Sequence, residues 1–183
     1  RQRQMCIRDR LLAASKNPMA QRESRHSYSI SLEQGEITNQ KQSGRCWMFA
    51  ALNTFRFEVM KNLNLKTFEL SQNYTLFYDK LEKSNYFLES ILETLDEPTQ
   101  GRLISFLLSA PLGDGGQWDM LCNLVRKYGV VPKEAMPETV SSSATREMTS
   151  ALTRKLREDA CRLRKAYADG STLDELRQKK EAM

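Results

Sequence analysis

The chain has 183 residues, 40% hydrophobic and 28% charged. That length suits about one domain, and the composition excludes a collagen-like, disulfide-dense or wholly disordered chain. The formal charge of +5 comes from 28 basic and 23 acidic residues. Seven of the basic but two of the acidic groups lie in residues 1–30, which leaves 21 of each sign in the body. A body without net charge is a poor electrostatic match for nucleic acid. No run of roughly 18 apolar residues offers a membrane span, and Arg1 to Arg25 hold no apolar stretch of a secretion signal. A cytoplasmic location with reduced thiols is therefore expected.

Residues 1–10 (RQRQMCIRDR) carry charge and amide groups with no core-facing period. QMCIRDR looks like translated adapter sequence, so this segment, Cys6 included, is set aside as non-native. Residues 11–38 read as an N-terminal arm, helical over 11–25, followed by a short strand. From His26 to Thr38, Tyr28, Ile30 and Leu32 alternate with serines, the period of a strand, until Gly35 breaks it. Asn39 to Arg45 form a polar loop. At Cys46 the character changes: WMFAALNTFRFEVMKNL is apolar around nearly its whole circumference over three turns, the pattern of a buried helix.

Ser71 is an N-cap for a long helix over about 72–97, with Pro98 beyond it. A short apolar helix follows over 101–110, then the glycine loop LGDGGQWD. A helix over 119–128 is closed by Gly129, and Val130, Val131 and Pro132 leave it extended. Ser141–Ser143 open a strongly charged helix over about 145–169, with an apolar stripe of Met148, Leu152, Leu156, Ala160 and Leu163. Gly170 ends it. Ser171 and Thr172, with Asp174 and Glu175 three residues on, form capping boxes for a last helix. That helix is expected to be barely started at Met183, and the chain to be truncated there.

The chemistry concentrates at Cys46. A thiolate is the reactive form of cysteine, and the N-terminus of a helix favours an anion. Ser43-Gly44-Arg45 precede it; Gly44 would let a substrate backbone approach, and Arg45 would place a cation beside the thiolate. Gln40, six residues upstream, can add its amide to the Cys46 N–H as a donor pair for an oxyanion. The four cysteines (Cys6, Cys46, Cys122, Cys161) contain no CxxC pair, and His26 is the single histidine, so no zinc site and no other metal or cofactor site is expected. Cys122 and Cys161 read as inert packing thiols, and Trp47 and Trp118 as core residues rather than substrate contacts.

NQKQSGRCWMFAALN resembles the nucleophile segment of papain-like cysteine peptidases, and within them the aminopeptidase C / bleomycin hydrolase family. The likeness continues at LSQNYTLFYDKLEKSNYFLE, at LLSAPLGDGGQWDMLCNLVRKYGVVPKEAMPET and at LREDACRLRK, over roughly residues 26–183. It implies an α+β papain-like fold, of which residues 39–183 are mainly the helical half. It implies Cys46 as nucleophile, Gln40 as oxyanion donor and Trp47 beside the site. Asp114, Gly115 and Gly116 would be the loop that pairs with the substrate chain, and Gly44 would border the first subsite. It further implies hydrolysis of N-terminal residues from peptides with a free amine, and a homo-hexamer. Secreted papain-like enzymes tie the two loops by a disulfide; Ser43 and Gly113 stand at those positions here, which fits a reducing compartment.

The family's catalytic His and Asn lie downstream of the cysteine, and no histidine follows Cys46. The chain alone is therefore expected to be inactive. Two other readings stay open at this point: a papain-like endopeptidase, and a non-catalytic helical interaction domain using the charged helix as its partner surface.

Overall fold

The computed structural model describes Met19, residues 28–30 and residues 35–183. Arg1–Glu33 and Gln34–Met183 are separate compact units. Of the first, Met19 is helical and residues 28–30 lack regular structure. The strand expected over 26–38 does not form at 28–30 or 35–38. Gly35 turns at φ +71°, Ile37 is 99% exposed, and among the described residues no strand offers a ladder. Residues 1–10 with Cys6, the rest of the arm, His26 and residues 31–34 lie outside the described residues.

The second unit is built from α1 (Cys46–Asn62), α2 (Gln72–Glu93), α3 (Arg102–Ser109), α4 (Trp118–Tyr128), a 3-10 turn (Lys133–Ala135), α5 (Val140–Ser143), α6 (Arg146–Ala168) and α7 (Leu173–Glu181). The boundaries follow local chemistry. Ser71 Oγ accepts the Tyr74 N–H and caps α2. Gly129 (φ +75°) and Gly170 (φ +94°) reverse the chain after α4 and α6 in a conformation other residues resist. The Thr172–Glu175 capping box starts α7.

Two boundaries differ from the sequence reading. Helix α2 ends at Glu93 rather than near 97, where the chain tightens into three-residue turns: the Thr94 N–H donates to the Ile91 carbonyl and the Glu97 N–H to the Thr94 carbonyl, each at 3.2 Å. The serines expected to open the long charged helix form α5 instead, with a Thr139–Ser142 capping box of its own. Ala144 then leaves helical geometry to bridge Gln42. Helix α7 is more than a start: Leu176 is fully buried.

Two apolar clusters share α2. Toward its N-terminus, Leu76 packs with Met48, Ala51 and Leu52 of α1 and Leu121 of α4. Toward its C-terminus, Phe87, Leu88, Ile91 and Leu92 pack with Leu112, with Leu156, Ala160 and Leu163 of α6, and with Leu176 of α7. Each buried Leu, Ile, Phe or Met among them contributes about 1.5–3 kcal/mol of burial. Between the clusters, the middle of α2 buries Asp79 and Lys80 and half-buries Lys83. The glycine loop sits over that polar middle. No described helix is long and apolar enough to cross a membrane.

Candidate active site

The turn before α1 is fixed from both sides. The Asn39 side chain accepts the Lys41 N–H at 2.7 Å, which supports the left-handed backbone of Lys41 (φ +52°). Beyond it, the Gln42 N–H donates to the Ser143 carbonyl at 3.0 Å, tying this turn to the junction of α5 and α6. Ser43 Oγ donates to the Gln40 carbonyl at 2.7 Å and closes the turn on itself. Cys46 is then the first residue of α1 and is exposed. Among the described residues its N–H has no partner, as expected of the first helical turn.

Arg45 does not lie free beside the thiol. It is fully buried. Its guanidinium makes a two-pronged pair with Glu138, both contacts 2.8 Å, while Nε donates to Ser43 Oγ at 2.8 Å. The cation also stacks on Phe49 at 5.0 Å. Burial pushes the Glu138 carboxyl up, but Arg45 and Ser142 outweigh burial and hold it below the ordinary range. The expected cation beside the thiolate is thus neutralised, and Arg45 acts as a clamp between the nucleophile turn and the segment before α5. That segment is itself held by α2, where Ser71 and Asn73 donate to the Met136 and Pro137 carbonyls.

The glycine loop reaches this turn through Asp114. Its Oδ2 accepts the Gly44 N–H at 3.1 Å and the Thr145 hydroxyl, and its Oδ1 accepts Lys80 Nζ at 2.5 Å and the Thr149 hydroxyl at 3.3 Å. Burial alone would raise this carboxyl, but Lys80, Thr145 and the Gly44 N–H together bring it down to about 2. All its capacity is used within the chain, so the Asp114 side chain positions the loop rather than offering itself to a substrate. A methyl at Gly44 would lie 2.8 Å from Asp114 Cβ. The space that Gly44 leaves is filled by Asp114, not by an incoming chain.

Trp47 completes the junction. Its indole N–H donates to the Asp114 carbonyl at 2.8 Å, and a methyl at Gly116 would lie 2.5 Å from its ring. Gly116 therefore rests flat on the indole, while Gly115 faces open space. Lys83 Nζ sits 5.6 Å from the centre of that ring. It pairs with Asp79 at 2.8 Å and donates to the Gly113 and Gly115 carbonyls at 3.1 and 2.7 Å. Burial pushes Asp79 up and Lys83 down, each against the pull of the other's charge.

The structure brings Gly44, Trp47, Asp114 and Gly116 into direct contact beside Cys46, across about 70 residues of sequence. Gln40 is held to the same turn through its backbone. Its side-chain oxygen is buried without a partner, and its amide nitrogen donates to no described residue. Trp118 is not a core residue: it is 58% exposed, at the first position of α4, and only tilts against Phe55. Cys161 is exposed rather than packed, and Cys122 is half-buried. Among the described residues no group of three His, Cys, Asp or Glu could hold a metal.

Lys80, Lys83 and Glu138 escape the sequence reading. For the lysines a signal exists. Leu76, Lys80, Lys83, Phe87 and Ile91 follow at helical three-four spacing, so two lysines interrupt a buried stripe.

The Peptidase C1-like family model matches residues 2–183. The chain is 52% identical over 163 residues to aminopeptidase C of Listeria monocytogenes, covering 89% of this chain and 37% of that protein. It is 46% identical over 158 residues to bleomycin hydrolase of Homo sapiens, covering 85% and 35%. The crystal structure of PepW from Lactobacillus rhamnosis superimposes with a TM-score of 0.87 at 50% identity, covering 93% of this chain and 38% of that one. The chain thus spans little more than a third of the length of these relatives. What it carries is mainly the helical part of their α+β fold.

Proposed function

This chain belongs to the Peptidase C1-like family, and from that we propose that it supplies the nucleophile side of a cysteine aminopeptidase. The observation that carries the proposal is the docking of the glycine loop on the helix that begins with Cys46. Gly44 binds Asp114 at 3.1 Å, and the Trp47 ring lies under Gly116. An exposed thiol at a helix N-terminus and a backbone edge for a peptide then share one surface. Relatives named aminopeptidase C and bleomycin hydrolase support the amino-terminal choice over an endopeptidase. The interaction-domain reading is not favoured, since it has no use for an exposed thiol set beside the glycine loop.

In the proposed reaction the Cys46 thiolate adds to the first peptide carbonyl. The oxyanion that forms takes hydrogen bonds from the Cys46 N–H and the Gln40 amide. The carbon–nitrogen bond breaks as the leaving amine receives a proton from an imidazolium, leaving a thioester on Cys46. Water, deprotonated by the same imidazole, releases the amino acid and restores the thiol. The only histidine here, His26, precedes Cys46. The base and its orienting Asn are assigned to the part of the family's length this chain does not span. Substrates are peptides with a free N-terminus, the protein is cytoplasmic, and the assembly is a homo-hexamer.

A protein of the family's length containing this chain tests the reading. It should release N-terminal residues from a free peptide and leave the acetylated peptide intact, and Cys46→Ser should abolish release. Internal cleavage of the acetylated peptide would establish the endopeptidase instead, and activity surviving Cys46→Ser would remove the assigned nucleophile. Sedimentation as a monomer would overturn the hexamer.

A further inference from the structure

Lys83 is a half-buried cation whose charge the reaction above does not use. Its ammonium already has a counter-ion in Asp79, 2.8 Å away, so pairing alone does not explain why it also reaches over to the glycine loop. There it binds the Gly115 carbonyl at 2.7 Å and the Gly113 carbonyl at 3.1 Å. Lys80, one turn earlier, takes the Gly113 carbonyl and the Asp114 carboxylate but not Gly115. Lys83 is therefore the one described residue that holds the Gly115 carbonyl.

The consequence follows from peptide geometry. The Gly115–Gly116 bond is trans and planar, so the Gly115 C=O and the Gly116 N–H point in opposite directions. Drawing the carbonyl inward onto Lys83 turns the Gly116 N–H outward, away from α2. Among the described residues that N–H has no acceptor, and neither does anything donate to the Gly116 carbonyl. The indole of Trp47 blocks one face of Gly116 and stops the plane from rolling over. An ammonium on the carbonyl also polarises the amide and strengthens its N–H as a donor.

We propose that Lys83 is a positioning residue: it fixes the Gly115–Gly116 peptide plane so that the Gly116 N–H donates to a backbone carbonyl of the bound peptide. This rests on the reading of Gly115–Gly116 as the substrate edge. Lys83 and Trp47 together do for this loop what a covalent tie between loops would do elsewhere, with the added effect of setting one donor's direction.

The test compares alkylation of the chain by chloroacetamide, which needs only a thiol, with a dipeptidyl chloromethyl ketone, which also needs the edge. The exposed Cys161 serves as the internal reference. In the wild type the peptidyl reagent should favour Cys46 over Cys161 more strongly than chloroacetamide does. Lys83→Met, paired with Asp79→Asn so that no buried carboxylate is left unbalanced, should cut that selectivity about 3- to 10-fold, the effect of one oriented hydrogen bond. The chloroacetamide rate at Cys46 should stay unchanged, and Lys83→Arg should restore the selectivity. Full selectivity in the double variant overturns the role of Lys83 and leaves the edge reading standing. A chloroacetamide rate that changes in step shows that Lys83 merely supports the fold, and overturns the proposal. Absence of selectivity in the wild type overturns the edge reading and this inference with it.

Discussion

Replacing Gly116 by Ala adds one methyl at the point where the two loops meet. That carbon would lie 2.5, 2.6 and 2.8 Å from three atoms of the Trp47 ring, well inside the ~3.5 Å at which carbon atoms attract. The ring cannot slide freely, because its N–H is bonded to the Asp114 carbonyl at 2.8 Å. Relief requires either the loss of that bond or a shift of the glycine loop, and overpacking of this kind costs about 1–3 kcal/mol. With a urea dependence of about 2 kcal/mol per molar, the unfolding midpoint should fall by about 1 M. Gly115→Ala is the matched control. No atom lies within 4 Å of its added carbon, and its φ is outside the left-handed region. It should leave the midpoint unchanged or raise it by a few tenths of a molar through the unfolded state. Urea titrations of both variants, followed by far-ultraviolet circular dichroism, make the comparison. Equal midpoints for the two would refute the packing of Gly116 on Trp47.

Arg45→Met leaves Glu138 without its partner and should cost about 3–5 kcal/mol, whereas the double change Arg45→Met, Glu138→Met should recover most of it; thermal melts of the set decide. Asp114→Asn should destabilise the chain at neutral pH, because the buried Lys80 loses its carboxylate partner. The carboxyl lies at about 2 in the folded state against an ordinary 3.8. Its contribution is therefore complete above about pH 4 and disappears as pH falls through about 2, so the melting curves of the wild type and the Asp114→Asn variant should converge there. A gap that persists at that pH would contradict the assignment. Thr172→Ala removes the capping box of α7 and should cost about 1 kcal/mol, read as faster hydrogen exchange in Leu173–Glu181. The 183-residue chain itself should show no turnover on dipeptide amides, since its single histidine precedes Cys46; Cys46-dependent turnover would contradict the assignment of the base.

Helix ends are legible in the sequence wherever a single residue forces them. Gly129 and Gly170 stop α4 and α6, Ser71 and Thr172 start α2 and α7, and each acts through its own backbone or hydroxyl. The meeting of the Cys46 turn with the glycine loop is legible only through the likeness of both segments to papain-like peptidases, since about 70 residues separate them. What escapes depends on partners far apart in sequence. Arg45 reads as a cation near the thiol until Glu138, 93 residues on, is seen to neutralise it. Gly44 reads as room for a substrate until Asp114 is seen to occupy that room. At 28–30 and 35–38 the expected strand rests on alternation alone, and alternation builds a strand only beside another strand, of which there is none among the described residues. The break at Ala144 is hidden because the serines before it are equally good at starting one long helix or at closing a short one.

The central claim is that Cys46, at the head of α1 and beside the glycine loop, is the chain's nucleophile. The most direct measurement treats the folded chain with less than one equivalent of iodoacetamide and maps the labelled cysteines by peptide mass spectrometry. Cys46 and Cys161 are both exposed, so accessibility alone does not separate them. The account predicts that Cys46 is labelled first, because the unbonded N–H at the head of α1 can hold the carbonyl oxygen of the reagent beside the thiol. Labelling of Cys46 no faster than Cys161 would contradict it.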